Sequence, residues 1–265
     1  MRLAVHDSGT GERVAVLVHG IQSDHRAWHR VAAELGEDGF RVVAVDLAGH
    51  GVSPRSRRYS PAAWADDVIE SLEPILGDRI DLLVGHSLGA LVASRVADRI
   101  RPRAAVYVDP AFGFPRGLHG VALKTVFVLS PRPRAWTLRR LNPRWSDDDV
   151  DVELASLALW DRRTLLGFVR TSMLTPPPVL VAPSLVVLAH RSMLIGARDA
   201  RALAQLGMSV CRVAGAGHTV FRDDHAAFMG LLRDWVARHV PSRTGGTGDE
   251  WDRADRRAEQ PRPSA

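Results

Sequence analysis

Short apolar runs alternate with helix-period segments along the first hundred residues. Arg13–Val18 reads RVAVLV and stops at His19-Gly20, the pattern of a strand buried on both faces. Apolar positions over 28–35 recur at helical spacing and end at Gly36 and Gly39. Residues 41–45 predict a second buried strand, ended by Asp46. Over 64–76 the spacing predicts an amphipathic helix with Trp64, Val68, Leu72 and Ile75 on one face. A third strand over 80–84, a helix over Leu88–Ile100 and a fourth strand over Ala104–Val108 continue the series. Strands rich in Val and Leu, separated by helices, predict an α/β fold: a mostly parallel central sheet with helices on both faces. Such a sheet carries its site beyond the carboxyl ends of its strands.

The alternation breaks after Asp109. Helical patterns over 117–129, 134–141, Asp147–Leu159 and 164–173 follow without a clear strand. Ser146 before Asp147, Asp148 and Asp149 is a strong helix start, because a hydroxyl caps the first N–H groups and carboxylates favour the positive end of the helix dipole. Pro176-Pro177-Pro178 ends this block, which reads as a helical cap inserted into the sheet domain. The sheet pattern resumes with strands over 185–189 and 209–213 and helices over 197–206 and 226–239. The predicted division is a core of 1–109 and 183–240, a cap of 110–182 and a disordered tail of 241–265 rich in Gly, Pro, Arg and Asp.

Composition changes this picture little. At 265 residues, 46% hydrophobic and 25% charged, the chain suits one domain with an insertion. No apolar run is long enough for a membrane span, and no apolar leader follows Met1-Arg2. Cys211, the single cysteine, excludes an internal disulfide and reads as a small buried hydrophobe in a strand. No Cys/His spacing resembles a zinc motif, so neither metal nor organic cofactor is expected, and the location is expected to be cytoplasmic. The net charge of +5 is carried almost wholly by arginine, Lys124 being the only lysine, and by itself is no sign of nucleic acid. Over 110–146 there is no acidic residue, while Arg116, Lys124, Arg132, Arg134, Arg139, Arg140 and Arg144 all fall there. That stripe is either a solvated helix face or a surface for an acidic partner, such as a carrier protein.

The strongest chemical signal is Gly85-His86-Ser87-Leu88-Gly89, placed between a strand and a helix. Glycines two before and two after let the backbone turn sharply, so that the serine hydroxyl stands above the sheet as a nucleophile. A serine needs a base, and His218 in Gly217-His218 lies between the last strand and the last helix, where a loop reaches the same sheet edge. His86 and His225 read as structural. The N–H of Leu88 at the helix start, and that of Ile21 after His19-Gly20, are the expected donors to a developing oxyanion.

These residues, with Trp28 and Asp46-Leu47-Ala48-Gly49-His50-Gly51-Val52-Ser53, resemble the α/β-hydrolase fold family in type and order. The resemblance covers about residues 3–240 and implies the fold, a cap at the usual place and a Ser–His–acid triad. Serine at 87 argues against dehalogenase and epoxide hydrolase chemistry. The acid departs from the pattern: Met193 stands where the family usually has an aspartate. Asp109, at the end of the fourth strand, is where some branches keep the acid, including thioesterase domains; Asp199 and the absence of any acid are the alternatives, and Asp109 before Pro110 is also an ordinary turn. Phe112, Phe114, Trp136, Trp145 and Trp160 either line an apolar pocket or pack the cap. The expected function is hydrolysis of an ester or thioester of a small to medium, largely apolar substrate. A lyase, cyclase or C–C cleaving enzyme using His218 as base is the alternative, and a non-enzymatic binding protein on the same fold is the third reading.

Overall fold

The computed structural model describes residues 1–76, 80–112, 125, 129, 131–169 and 180–241. Seven strands form one sheet: β1 (Val5–Ser8), β2 (Arg13–Val18), β3 (Phe40–Val45), β4 (Leu82–His86), β5 (Ala104–Val108), β6 (Ser184–Leu188) and β7 (Ser209–Arg212). Their spatial order is β1-β3-β2-β4-β5-β6-β7. Only β1 runs antiparallel, against β3; all other neighbours are parallel. The expected strand over 80–84 is displaced to Leu82–His86, because Gly85 and His86 continue the pairing with Tyr107 and Val108.

Alternation along the strands divides the core into two layers. Val14, Val16 and Val18 of β2 point to one face and Ala15 and Leu17 to the other. The first face is covered by α2 (Pro61–Leu76) and α3 (Leu88–Ile100), through Trp64, Val68, Leu72 and Val92. The second is covered by α1 (His29–Glu37), which follows a 3-10 turn at His25–Trp28, and by the last helix, α9 (His225–His239), through Val31, Leu35, Phe228 and Trp235. Each buried large side chain contributes about 1.5–3 kcal/mol by leaving water. Ile75 lies on the same helical face as Trp64, Val68 and Leu72 yet is 38% exposed, while Leu76 beside it packs against the core. Cys211 is half-buried, since β7 is an edge strand.

Between β5 and β6 lie α4 (Ala135–Leu141), α5 (Asp147–Leu159) and α6 (Thr164–Val169), a helical insertion acting as a cap; α7 (Ala197–Gln205) and α8 (Val220–Asp223) follow β6 and β7. The start of α5 forms a capping box: Ser146 Oγ accepts the Asp149 N–H, and the Asp149 carboxylate accepts the Ser146 N–H. Tyr59 donates to Asp161 at 2.9 Å and the Asp161 N–H bonds Gly49 O, tying the segment before α6 to the sheet domain. Phe114, most of the predicted helix over 117–129, and the tail beyond 241 lie outside the described residues. No helix among the described residues is long and apolar enough to cross a membrane.

Candidate active site

Ser87 sits between β4 and α3 with φ 53° and ψ −115°, a conformation unusual for a residue with a side chain. The flanking glycines explain how the chain tolerates it. A Cβ on Gly85 would lie 2.5 Å from Gly89 O, and one on Gly89 would lie 2.2 Å from Val18 O. Main-chain bonds hold the turn: the Ser87 N–H donates to Val108 O, and Ser87 O accepts from Ala90, Leu91 and Ala111. The turn is therefore fixed from β5 as well as from its own helix.

His218 and Asp109 are brought together. His218 Nδ1 is 2.6 Å from Asp109 Oδ2, and Asp109 is 1% exposed. The second oxygen, Oδ1, accepts the Ala189 N–H at 3.1 Å. Asp109 has φ 38°, a left-handed conformation that aspartate tolerates better than most residues. Its own N–H is fixed on Val187 O at 2.8 Å. Asp199 lies within the first turn of α7, with its carboxylate beside Gly196, and Met193 is 65% exposed. Of the three positions considered for the acid, only Asp109 faces His218.

His86 takes a part that its sequence position did not disclose. Burial pushes its pKa well below the ordinary histidine value, so the ring is neutral. Its Nε2 lies 3.1 Å from His218 O; a carbonyl only accepts, so this nitrogen carries the proton and donates. The ring thereby pins the main chain of His218. His225 is structural, as expected, bonding Phe221 O and Glu34.

The two expected main-chain donors stand at the ends of neighbouring strands. Leu88 opens α3, where the first N–H groups have no acceptor within the helix. Ile21 follows His19-Gly20 at the end of β2, and Gln22 beside it has φ 69°. Buried His19 shapes this turn: Nδ1–H donates to Gly20 O at 2.7 Å and Nε2 accepts the Leu47 N–H at 2.9 Å. Gly20 is needed because a Cβ there would lie 2.8 Å from His86 Nδ1 and 3.3 Å from Ser87 Cβ.

Ser87, His218 and Ile21 share the wall of a cavity of about 180 Å³, with His86, Met193, Leu194, Phe221, Glu153 and Arg222 also lining it. Among the described residues, Phe112, Trp136, Trp145 and Trp160 are not in that wall. Phe112 packs on Tyr107 in the core, Trp160 packs with Leu157 and Leu165, Trp145 lies under the Arg222 guanidinium, and Trp136 is 63% exposed. What the cap does bring is charge. Arg222 of α8 is 3% exposed and bonds Glu153 of α5 at 2.7 Å, with Asp149 at 3.5 Å on its other side. Sequence reasoning missed this link; an arginine four residues after the histidine, in the same loop, was the available signal. Among the described residues, the one cluster with metal-ligand character lies outside this cavity.

Comparison with known proteins agrees with this architecture. A family model described as "Alpha/beta hydrolase family" matches residues 15–231. Pimeloyl-[acyl-carrier protein] methyl ester esterase of Methylococcus capsulatus is 31% identical over 256 residues, covering 86% of this chain and 93% of the relative. An uncharacterized Mycobacterium tuberculosis protein is 39% identical over 97 residues, a match spanning 36% of this chain and only 28% of that relative's length. Among solved structures, E-2-(acetamidomethylene)succinate hydrolase superposes with a TM-score of 0.76 at 23% identity, covering 89% of this chain and 95% of the other.

Proposed function

The chain belongs to the alpha/beta hydrolase family, and from that premise we propose that it is a serine hydrolase. It cleaves an ester or thioester of a small to medium, largely apolar substrate through an acyl-enzyme. Ser87 Oγ attacks the carbonyl carbon while His218 Nε2 takes the hydroxyl proton. Asp109 holds the ring through Nδ1–H and stabilises the imidazolium. The N–H groups of Ile21 and Leu88 donate to the oxyanion. The alcohol or thiol leaves with the proton from His218. Water then attacks the acyl-enzyme with His218 again as base, releasing the acid and restoring Ser87.

The observation that carries this reading is the 2.6 Å contact of His218 Nδ1 with buried Asp109. It sits on the cavity that Ser87 lines from its strained turn. Asp109 facing His218 supports this reading over a lyase, cyclase or C–C cleaving enzyme that would use His218 as base without a triad acid. The cavity suits a small acyl group, and the Methylococcus relative, named for an ester on an acyl carrier, suggests a carrier-borne one. Exposed Arg132, Arg134, Arg140 and Arg144 near α4 would meet such an acidic carrier. The core of 1–109 and 183–240, the cap of 110–182 and a cytoplasmic location belong to the same reading.

A fluorophosphonate probe followed by mass mapping tests it. Labelling is expected on Ser87, and Ser87→Ala is expected to lose label and at least about 10³-fold in kcat against a p-nitrophenyl ester. A folded Ser87→Ala protein keeping more than about a tenth of the activity, a barrier change under ~1.4 kcal/mol, would remove Ser87 as nucleophile.

A further inference from the structure

Three segments far apart in sequence meet beside the open end of β3. His6 comes from the edge strand β1, His25 from the 3-10 turn, and Asp46 from the residue that follows β3. The Asp46 carboxylate is fully buried and each of its oxygens takes two partners. Oδ1 accepts the His25 N–H at 2.8 Å and faces His25 Nδ1 at 2.8 Å. Oδ2 accepts the Val52 N–H at 3.0 Å and faces His6 Nε2 at 3.2 Å. The two imidazoles stack at 3.3 Å between centroids and 11° between planes.

We propose that His6, His25 and Asp46 form a binding site for one divalent transition-metal ion of the zinc class. Two histidines and a carboxylate are a common three-ligand set for zinc, leaving a fourth position for water. His6 Nε2, His25 Nδ1 and a carboxylate oxygen lie within 4.8 Å of one another. In a tetrahedral zinc site such atoms stand roughly 3.3–3.5 Å apart, so the rings need move by about an ångström and turn out of their stack. The carboxylate need not move. Its two main-chain bonds hold it, so the ion replaces only the imidazole protons that now point at it.

The surroundings favour a cation. The Asp46 carboxylate is fully buried and keeps two main-chain donors, the His25 and Val52 N–H groups, that hold its oxygens in place. Arg26 in the same 3-10 turn pairs with Asp24 at 2.6 Å and not with the Asp46 carboxylate. The His6 and His25 side chains are 34% and 26% exposed, so one side of the cluster opens to solvent for entry of the ion and its water. None of the three residues lines the Ser87 cavity. No sequence motif announces the cluster: the antiparallel pairing of β1 with β3 sets His6 opposite Ala44, and His25 enters separately from the 3-10 turn.

The test uses the full chain without an affinity tag, freed of metal by a chelator and titrated calorimetrically with Zn2+ at pH 7.5, with Co2+ as a visible-absorption probe. About one Zn2+ per chain is expected, with tetrahedral Co2+ bands, and weaker binding at pH 5.5 because the ligands must shed protons. His6→Gln, on an edge strand, and His25→Gln are each expected to weaken Zn2+ at least about tenfold, with the double variant losing stoichiometric uptake. Unchanged melting temperatures in the absence of metal certify the variants as folded. Failure of the wild-type chain to bind about one Zn2+, or uptake that a folded His6→Gln variant leaves unchanged, overturns the proposal.

Discussion

Asp109→Asn is the substitution whose effect can be worked through atom by atom. Asp109 Oδ1 accepts the buried Ala189 N–H at 3.1 Å while Oδ2 meets His218 Nδ1 at 2.6 Å. An asparagine has one oxygen and one NH2 for these two places. With its oxygen toward Ala189, the NH2 points at His218 Nδ1. The ring must then accept there and carry its proton on Nε2, the nitrogen that has to receive the Ser87 proton. With the amide flipped, the ring keeps the useful tautomer but the Ala189 N–H loses its acceptor, at about 1–3 kcal/mol. The useful form is thus depleted roughly 5- to 150-fold. Replacing a charged acceptor by a neutral one also forfeits about 1–2 kcal/mol of imidazolium stabilisation, a further ~5- to 30-fold. The expected loss in kcat is roughly 25- to 4,500-fold, its upper end approaching the ~10⁴ found for such a change in a serine protease. The assay is single-turnover and steady-state hydrolysis of a p-nitrophenyl ester, with circular dichroism and melting to show a native fold. A folded variant within about threefold of wild type would refute the reasoning: the carboxylate would then be a turn residue, and Ser87 and His218 would act without it.

Three further outcomes are expected. His19, His50 and His86 are buried with pKa values pushed below the ordinary 6.5, that of His50 to about 3, so they stay neutral in the fold and take up protons on unfolding. Their contribution is whole above pH 6.5 and is lost as pH falls toward the folded values, at up to about 1.4 kcal/mol per pH unit for each. Urea midpoints at pH 7 and pH 5 should show that loss, and equal midpoints would contradict it. Arg222→Met takes the 2.7 Å cation from Glu153 and leaves buried Asp149 with Arg30 alone at 3.5 Å, so stability should fall by about 2–4 kcal/mol in urea titration. Arg222→Met combined with Glu153→Gln should recover part of that loss, and a double variant no better than the single would show that the two do not interact. Gly89→Ala, whose Cβ would press on Val18 O at 2.2 Å, should lower the melting temperature and the activity together, and a fully active, wild-type-stable variant would disprove the need for that approach.

By itself the sequence determined whatever is local. Buried parallel strands, helix faces, the capped start at Ser146 and the tight turn at Ser87 are written in neighbouring residues, because periodicity, capping and glycine spacing act over a few positions. The order of elements then brought His218 to the edge that carries Ser87, since parallel strands end on one side of the sheet. Which carboxylate faces His218 was not legible. Asp109 before Pro110 reads equally as a turn, and only the placement of β5 between β4 and β6 turns its side chain to His218, with the Ala189 N–H as anchor. The strand shift to Leu82–His86 depended on pairing with β5. The charged wall of Arg222 and Glu153 joins two elements 69 residues apart, and the meeting of His6, His25 and Asp46 joins three segments across β1 and β3. Such contacts have no period and no spacing, because nothing in the local chain chooses them; they exist only once distant segments have packed against one another.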